Sequence, residues 1–212
     1  MLTIPKIKIC GLRNVEQIRM INQYDIDYVG FVFAKSKRQI STDRAIEMKK
    51  SLRRDIKTVG IFVNTPIDHV NKIAKFCNLD IVQLHGNESP RECARSIFPV
   101  WKAFSVKDKI DLDLLRGYQN VEGFVFDSSQ GGSGKTFSWD LITGASAKHF
   151  TILAGGLNSQ NVEKAVKEVR PQVVDISSGV ESNGEKDEEK IKEFIIKVKG
   201  CERYDNLSTS LV

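Results

Sequence analysis

The stretch Thr58–Gly86 reads TVGIFVNTPIDHVNKIAKFCNLDIVQLHG and contains one complete unit of the pattern that decides the fold. It starts with a short apolar run rich in β-branched residues, passes through a polar loop into an amphipathic segment, and ends in a second apolar run. Pro66 stands where the amphipathic segment begins, a position at which the missing N–H of proline costs no hydrogen bond. The unit is therefore predicted to be a strand, a helix and a strand.

The same unit recurs along nearly the whole chain. Eight apolar runs are present: IKICG, DYVGFVF, TVGIFV, DIVQLHG, VWKAFSV, EGFVFDS, FTILAGG and VVDISSG. Strands that alternate with helices pair in parallel, and eight such units in 212 residues fit a compact single-domain (β/α)8 barrel, the TIM barrel. An open doubly wound sheet is the alternative. It usually binds its ligand at one switch point, whereas here the reactive residues follow several strands.

Two further signals mark element ends. Ser89-Pro90-Arg91-Glu92 predicts a capping box at a helix start. The last amphipathic stretch predicts a helix from about residue 187 to 199, and the segment CERYDNLSTSLV beyond it is mostly polar. We therefore expect a catalytic barrel domain over residues 1–199 and a loosely packed polar tail over residues 200–212.

Composition argues against several classes of protein. Apolar residues make up 41% of the chain and charged residues 28%, as in soluble globular domains. The start MLTIPKIKICG has no signal-peptide run, and no segment approaches the ~20 apolar residues that span a bilayer, so a cytoplasmic location without a membrane partner is expected. The four cysteines form no CxxC pair and have no histidine spaced for zinc, so neither a metal site nor a disulfide is expected.

The net charge of +5 is compatible with a nucleic acid or with a small anionic substrate. The lysines alternate with acidic residues, as in GEKDEEKIKEF, and no arginine-rich or aromatic-basic stripe is present. We therefore do not expect a nucleic-acid partner, and a small-molecule substrate is favoured.

A glycine-rich stretch, DSSQGGSGKTFSW from Asp127 to Trp139, is similar to a nucleotide P-loop. The P-loop requires a glycine five residues before the glycine of Gly-Lys-Thr, and that position is Ser129. The pattern therefore fails at an essential residue. The glycines instead predict a loop that closes over a site.

Three reactive side chains end different apolar runs. Cys10 ends the first run and is either a small buried apolar residue or a reactive thiol. Asp127 ends the sixth and is either a turn former or a catalytic acid, and His85, near the end of the fourth, is either a structural hydrogen-bonded residue or a catalyst. In a barrel these strand ends meet on one rim, which is where barrel enzymes place their active sites.

Two loops with small residues, LAGGLNSQNV and DISSGVES, follow the seventh and eighth runs. Barrel enzymes often bind phosphate with these two loops, because small residues let backbone N–H groups approach an anion. The alternative is a pair of ordinary glycine turns. The loop FAKSKRQIS after the second run carries Arg38, whose planar guanidinium matches a carboxylate; the alternative there is an exposed basic loop.

Eight segments together resemble the phosphoribosylanthranilate isomerase family of tryptophan biosynthesis. They are KICGL, GFVFAKSKRQIS, VGIFVN, VQLHG, FDSSQGGSGKTFSWDL, LAGGL and VDISSGVE with GEKD, in order from Lys6 to about Phe194. KICG and GGSGKTFSW are specific to that family rather than to barrels in general. The resemblance implies an Amadori rearrangement of N-(5-phosphoribosyl)anthranilate to 1-(2-carboxyphenylamino)-1-deoxyribulose 5-phosphate. Proton transfer within the substrate needs no metal or organic cofactor, so none is expected.

The resemblance also implies roles for individual residues. By motif, Cys10 is the general base for the proton on C2 of the sugar, and Asp127 is the general acid for the ring oxygen. The expected substrate-binding residues are Arg38 for the anthranilate carboxylate, His85 and Asp175 in orienting roles, and Gly155, Gly156, Ser178 and Gly179 for the phosphate. On strand alternation, Asp175 is expected to point inward, toward Lys8.

Three alternatives remain at this stage. The histidine-pathway aminoaldose isomerase performs the same rearrangement on a related barrel, but its base is typically an aspartate where this chain has Cys10. A bifunctional isomerase is disfavoured for the same reason, and a non-catalytic phosphate-binding barrel is not separated by spacing alone. No outward apolar patch can be read from the sequence, so monomer and homodimer both remain open.

Overall fold

Eight strands form a closed barrel in chain order. The structure, a computed structural model, describes residues 4–128 and 136–208. The barrel strands are β1 Lys6–Cys10, β2 Tyr28–Val32, β3 Lys57–Phe62, β4 Ile81–Leu84, β5 Val100–Val106, β6 Gly123–Ser128, β7 Thr151–Leu153 and β8 Val173–Ile176. Each coincides with one of the eight apolar runs, except that β1 and β3 begin one residue earlier, and the predicted (β/α)8 barrel is confirmed.

Helices follow the strands. They are α1 Val15–Ile21, α2 Thr42–Ser51, α3 Ile67–Phe76, α4 Pro90–Cys93, α5 Leu112–Arg116, α6 Thr143–Ser146, α7 Val162–Val169 and α8 Glu188–Ser208. Short 3-10 turns span Trp139–Ile142 and Ser178–Val180, and a small antiparallel hairpin, β9 Glu181–Ser182 with β10 Glu185–Lys186, precedes α8.

The predicted capping box at the start of α4 is confirmed. The Ser89 hydroxyl accepts from the backbone N–H of Glu92, and the Glu92 carboxylate accepts from the backbone N–H of Ser89 at 2.8 Å. Pro66 is one residue earlier than expected, because it is the N-cap and α3 begins at Ile67.

The chain divides into two compact units. The Lys8 unit comprises Lys8–Phe104 and Asp111–Val125. Within it β1 to β5 pair in parallel, and its core includes the fully buried Val29, Phe31, Val59 and Val82.

The Phe126 unit comprises the described residues up to Ile7, Ser105–Ile110 and the described residues from Phe126 onward. Its β7 and β8 pair in parallel. Its fully buried apolar residues include Ile152, Leu153, Val173, Val174, Ile191 and Phe194.

The predicted end of the last helix at Lys199 is wrong. Helix α8 continues to Ser208, and residues 209–212 lie outside the described residues. Phe194, Val198 and Cys201 continue one buried stripe at helical spacing, and Cys201 is only 3% exposed. The polar composition around this cysteine concealed the stripe. The separation of a tail over residues 200–212 from the barrel domain stays a prediction.

Over the two ranges that the structure covers, we find no helix with both the length and the apolar character needed to cross a membrane.

Candidate active site

Cys10 lies at the end of β1, directly opposite Gly30 of β2. A Cβ atom added at Gly30 would lie 2.7 Å from the Cys10 sulfur, which is closer than van der Waals contact allows. The glycine therefore provides the space that the thiol occupies. Cys10 is partly exposed, whereas Cys77, Cys93 and Cys201 are buried.

The Arg38 side chain packs against Gly11, the residue that follows Cys10. Gly11 has a φ of +78°, in the left-handed region that favours glycine, and a Cβ atom there would collide with the Arg38 side chain. The Arg38 loop is closed at its base by pairing of Val32 with Gln39. Arg38 is partly buried, while the neighbouring lysines at positions 35 and 37 are exposed. The structure thus places the Arg38 side chain against the residue that follows Cys10.

His85 follows β4 and is held by a chain of hydrogen bonds. The Lys8 ammonium, which is fully buried, donates to Gln83 Oε1 at 3.0 Å, and Gln83 Nε2 lies 3.0 Å from His85 Nδ1. Burial lowers the pKa of His85 to about 4, and the positive charges of Lys8 and Lys102 act in the same direction, against Glu88. His85 is therefore neutral near pH 7.

A buried ion pair fixes the backbone around His85. Lys102 Nζ lies 3.0 Å from Glu88 Oε2, and the side chains are 2% and 4% exposed. The ammonium also donates to the carbonyl oxygens of Leu84 and Gly86, which flank His85, at 3.2 and 2.7 Å. The Glu88 carboxylate accepts from the backbone N–H of Gly86 at 2.9 Å.

Our sequence interpretation did not predict Gln83, Lys102 or Glu88 as part of this region. Strand alternation was the available signal for Gln83, because it lies two residues before His85 on the same face of the strand. Lys102 interrupts the apolar run VWKAFSV, and a lysine within a buried strand signals a buried partner. Glu88 gave no such signal, because it lies in a polar loop.

Asp127 lies near the end of β6 and is partly buried. A Cβ atom at Gly155 would lie 2.7 Å from Asp127 Oδ1 and would collide with the backbone nitrogen of Ser128. The loop after β7 therefore packs directly against the Asp127 carboxylate. The glycine-rich loop that we expected to close over the site falls on residues 129–135, outside the described residues.

The two expected phosphate loops touch each other. Gly155 and Gly156 have φ angles of +83° and +67°, and Asn161 Nδ2 donates to the carbonyl oxygen of Gly156 at 2.9 Å. A Cβ atom at Gly179 would collide with the carbonyl oxygen of Leu157, so the loop after β8 lies against the loop after β7. Only small residues permit this approach of two backbones.

The loop after β8 is also anchored by an ion pair. The buried Lys186 ammonium donates to the carbonyl oxygen of Ser177 at 3.0 Å and lies 2.7 Å from Glu181 Oε1. This anchor holds the turn that carries Ser178. Asp175, in β8, is 8% exposed, and its approach to Lys8 stays a prediction.

Each unit carries groups of a distinct chemical kind. The Lys8 unit has a thiol, a group capable of general base catalysis, and a guanidinium, a group that binds carboxylates. The Phe126 unit has a carboxylate, a group capable of general acid or base catalysis, and small-residue loops of the kind that bind phosphate. Within residues 4–128 and 136–208, no three His, Cys, Asp or Glu side chains are grouped so as to hold a metal ion.

Comparison with known proteins agrees with this chemistry. A family model described as N-(5'phosphoribosyl)anthranilate (PRA) isomerase matches residues 7–197. The protein named N-(5'-phosphoribosyl)anthranilate isomerase from Thermoanaerobacter pseudethanolicus (strain ATCC 33223 / 39E) is 50% identical over 200 residues, which cover 92% of this chain and 98% of that protein.

Solved structures are similar over the same part of the chain. Monomers generated from the dimeric phosphoribosylanthranilate isomerase of Thermotoga maritima are 38% identical, with a TM-score of 0.84 over 92% of this chain and 99% of that one. A phosphoribosyl anthranilate isomerase in complex with reduced 1-(o-carboxyphenylamino)-1-deoxyribulose 5-phosphate is 36% identical, with a TM-score of 0.83 and the same coverage.

Proposed function

This chain belongs to the N-(5'-phosphoribosyl)anthranilate isomerase family, and from that membership we propose that Cys10 and Asp127 carry out the two proton transfers of its reaction. The chain is an isomerase of tryptophan biosynthesis that acts on N-(5-phosphoribosyl)anthranilate, a small-molecule substrate. The observation that carries the assignment is the space which Gly30 leaves for the Cys10 sulfur at the end of β1.

The rearrangement requires one acid step and one base step. Asp127 donates a proton to the ring oxygen of the ribose, the bond from C1 to that oxygen breaks, and the nitrogen lone pair forms the C1–N double bond. Cys10 as a thiolate then removes the proton from C2, and the C2–H electrons form a C1–C2 double bond while the nitrogen regains its lone pair. Tautomerisation of the resulting enol gives the ketone. The proton that Cys10 takes up returns to Asp127 by exchange with solvent water, so atoms and charge balance over the cycle and no external reactant is consumed.

The environment of Cys10 supports a role as base. A thiolate is the nucleophilic and basic form of cysteine, and a nearby cation favours it. Lys8 lies two residues earlier on the same face of β1 and is fully buried. Water and dissolved ions therefore screen its positive charge only weakly.

The substrate's two anionic groups have separate binding elements. Arg38 holds the anthranilate carboxylate through a two-point hydrogen bond. The backbone N–H groups of Gly155-Gly156 and Ser178-Gly179 bind the phosphate, and the close approach of these two loops supports that assignment. His85 and Asp175 occupy substrate-binding positions.

We expect Arg38→Lys to raise the KM for phosphoribosylanthranilate by roughly 10- to 100-fold, because lysine replaces two parallel hydrogen bonds to a charged group with one. Steady-state kinetics measures this change. Lys37→Arg, on the same loop but exposed, is the matched control and should leave the KM unaltered. An unchanged KM in Arg38→Lys argues against the carboxylate contact.

We expect Gly30→Ala to lower kcat by about 10²-fold, because the added methyl group forces the Cys10 sulfur from its position and small misplacements of reacting groups have effects of this size. Overpacking also costs about 1–3 kcal/mol of stability. Gly200→Ala is the control, because a Cβ atom there meets nothing within 4 Å. Normal kcat in a folded Gly30→Ala variant contradicts the assigned position of the thiol.

The activity itself is tested by following the loss of phosphoribosylanthranilate fluorescence. The purified chain should consume this substrate and should be inactive toward the aminoaldose of histidine biosynthesis. Turnover of both substrates indicates a bifunctional isomerase, and binding of a substrate analogue without turnover of either indicates a non-catalytic barrel.

A further inference from the structure

The hydrogen bonds from Lys8 through Gln83 to His85 have one possible direction. An ammonium group has only donors, so Lys8 Nζ must donate to Gln83, and the atom 3.0 Å away is the amide oxygen. This orients the amide and places its nitrogen 3.0 Å from His85 Nδ1. An amide nitrogen also only donates, so His85 Nδ1 must accept and carries no proton.

We infer that Gln83 is a positioning residue that holds His85 as the neutral tautomer with its proton on Nε2, so that His85 acts as a hydrogen-bond donor to an oxygen of the substrate. The tautomer follows from the geometry of these three side chains alone. The substrate contact rests on the proposed function, because it requires His85 to lie at a substrate-binding position.

Hydrogen bonding, nearby charges and burial all disfavour protonation of His85. A proton on Nδ1 would face the N–H of Gln83, which leaves two donors pointing at each other. The charged groups around the ring are Lys8 from β1, Lys102 from β5 and Glu88 from the loop after β4, and the two lysines outweigh the carboxylate. Together with burial they lower the pKa of His85 to about 4, which supports the neutral form. At neutral pH the ring therefore donates from Nε2 and does not exchange protons with the substrate.

The backbone at His85 is fixed without Gln83. The backbone N–H of His85 donates to the carbonyl oxygen of Phe62 at 2.8 Å, and Lys102 holds the carbonyl oxygens on both sides of His85. A change at Gln83 therefore alters the state of the ring while the loop that carries it stays in place.

The substitution Gln83→Glu reverses the direction of the chain. The new carboxylate accepts from Lys8 and also accepts from His85, which favours a proton on Nδ1 and raises the pKa of the ring. Gln23→Glu is the matched control, since it adds the same charge at an exposed site after α1.

The tautomer is measured by ¹⁵N NMR of the histidine rings in the protein without substrate. The chain has three histidines, and His85→Asn identifies the signals of His85 by their loss. We expect the wild type and Gln23→Glu to show Nε2–H and an unprotonated Nδ1 that does not titrate between pH 5.5 and 8 (a range well above the value of about 4). We expect Gln83→Glu to show Nδ1–H and to titrate. A wild-type His85 that titrates in this range, or that carries its proton on Nδ1, overturns the inference whatever the enzyme does.

The substrate contact is measured by kinetics. At pH 8 we expect Gln83→Glu to lower kcat/KM by roughly 10- to 100-fold, because Nε2 has lost its proton. The ratio of variant to wild-type kcat/KM should then rise as the pH falls, since the imidazolium regains an Nε2 donor. A merely structural defect gives a ratio that does not depend on pH in this way.

Two further variants test whether His85 donates or accepts the hydrogen bond to the substrate. His85→Gln keeps an N–H donor near the position of Nε2 and should retain more kcat/KM than His85→Glu, which offers only acceptors at neutral pH. Equal losses in these variants, or a pH-independent ratio, overturn the donor role even if the tautomer is as inferred. Failure of the proposed function is recognised separately, by normal turnover in the Cys10 and Asp127 variants.

Discussion

Cys10→Ala should lower kcat by roughly 10²- to 10⁴-fold while the barrel remains folded, because it removes the group that takes the C2 proton and leaves the substrate-binding loops intact. KM should change less than kcat, since the thiol contributes to the transition state rather than to ground-state binding. Stopped-time or continuous fluorescence assays measure the rate, and circular dichroism establishes that the variant is folded.

Cys77→Ala is the matched control. Its thiol is buried, and burial raises the pKa of Cys77 to about 11, so that it stays protonated and unreactive near neutral pH. Burial likewise raises the pKa of Cys93 to about 11 and raises the pKa of Cys201. Iodoacetamide should therefore label Cys10 first and abolish turnover, as read by peptide mass spectrometry. Near-normal kcat in Cys10→Ala, or full turnover after labelling of Cys10, refutes the role of base.

Asp127→Asn should lower kcat by a similar factor, roughly 10²- to 10⁴-fold, because the amide has nearly the shape of the carboxyl group but no acidic proton for the ring oxygen. A base that must be deprotonated and an acid that must be protonated give a bell-shaped dependence of kcat/KM on pH. In this variant the fall on the alkaline side should disappear, since that limb reports loss of the Asp127 proton.

Asp113→Asn is the control for the loss of a carboxylate. Asp113 pairs with Arg116 on an exposed helix face, where the two side chains are 78% and 72% exposed, so the change should leave kcat unaltered. An Asp127→Asn variant with wild-type turnover, or with an unchanged alkaline limb, shows that another group protonates the ring oxygen.

The barrel was predictable because its signals are local. Each strand is a short apolar run followed by a polar loop, and the same pattern repeats eight times, as the closed barrel confirms. The capping box at Ser89 depends on four consecutive residues and was also predicted correctly. The end of α8 was predicted wrongly. The burial of Cys201 depends on what packs against the helix, and not on the polar residues next to this cysteine in the sequence.

The contacts around the site could not be predicted from local sequence patterns. Gln83 is 75 positions from Lys8 along the chain, and the direction of their hydrogen bond decides the protonation of His85. The pairing of Lys102 with Glu88 likewise joins a strand to a loop. Such contacts depend on strand register and on side-chain rotamers, and no periodic pattern in the sequence predicts either of them.

By itself the sequence determined the fold class, the family and the residue types at the strand ends, because periodicity and short motifs are properties of neighbouring residues. Only the tertiary structure decided that Gly30 makes room for the Cys10 sulfur, that the Arg38 side chain packs against Gly11, and that Lys8 orients Gln83 toward His85. Each of these is a steric or hydrogen-bonding relation between residues that meet when the Lys8 unit folds, and its outcome depends on distances of a few tenths of an ångström.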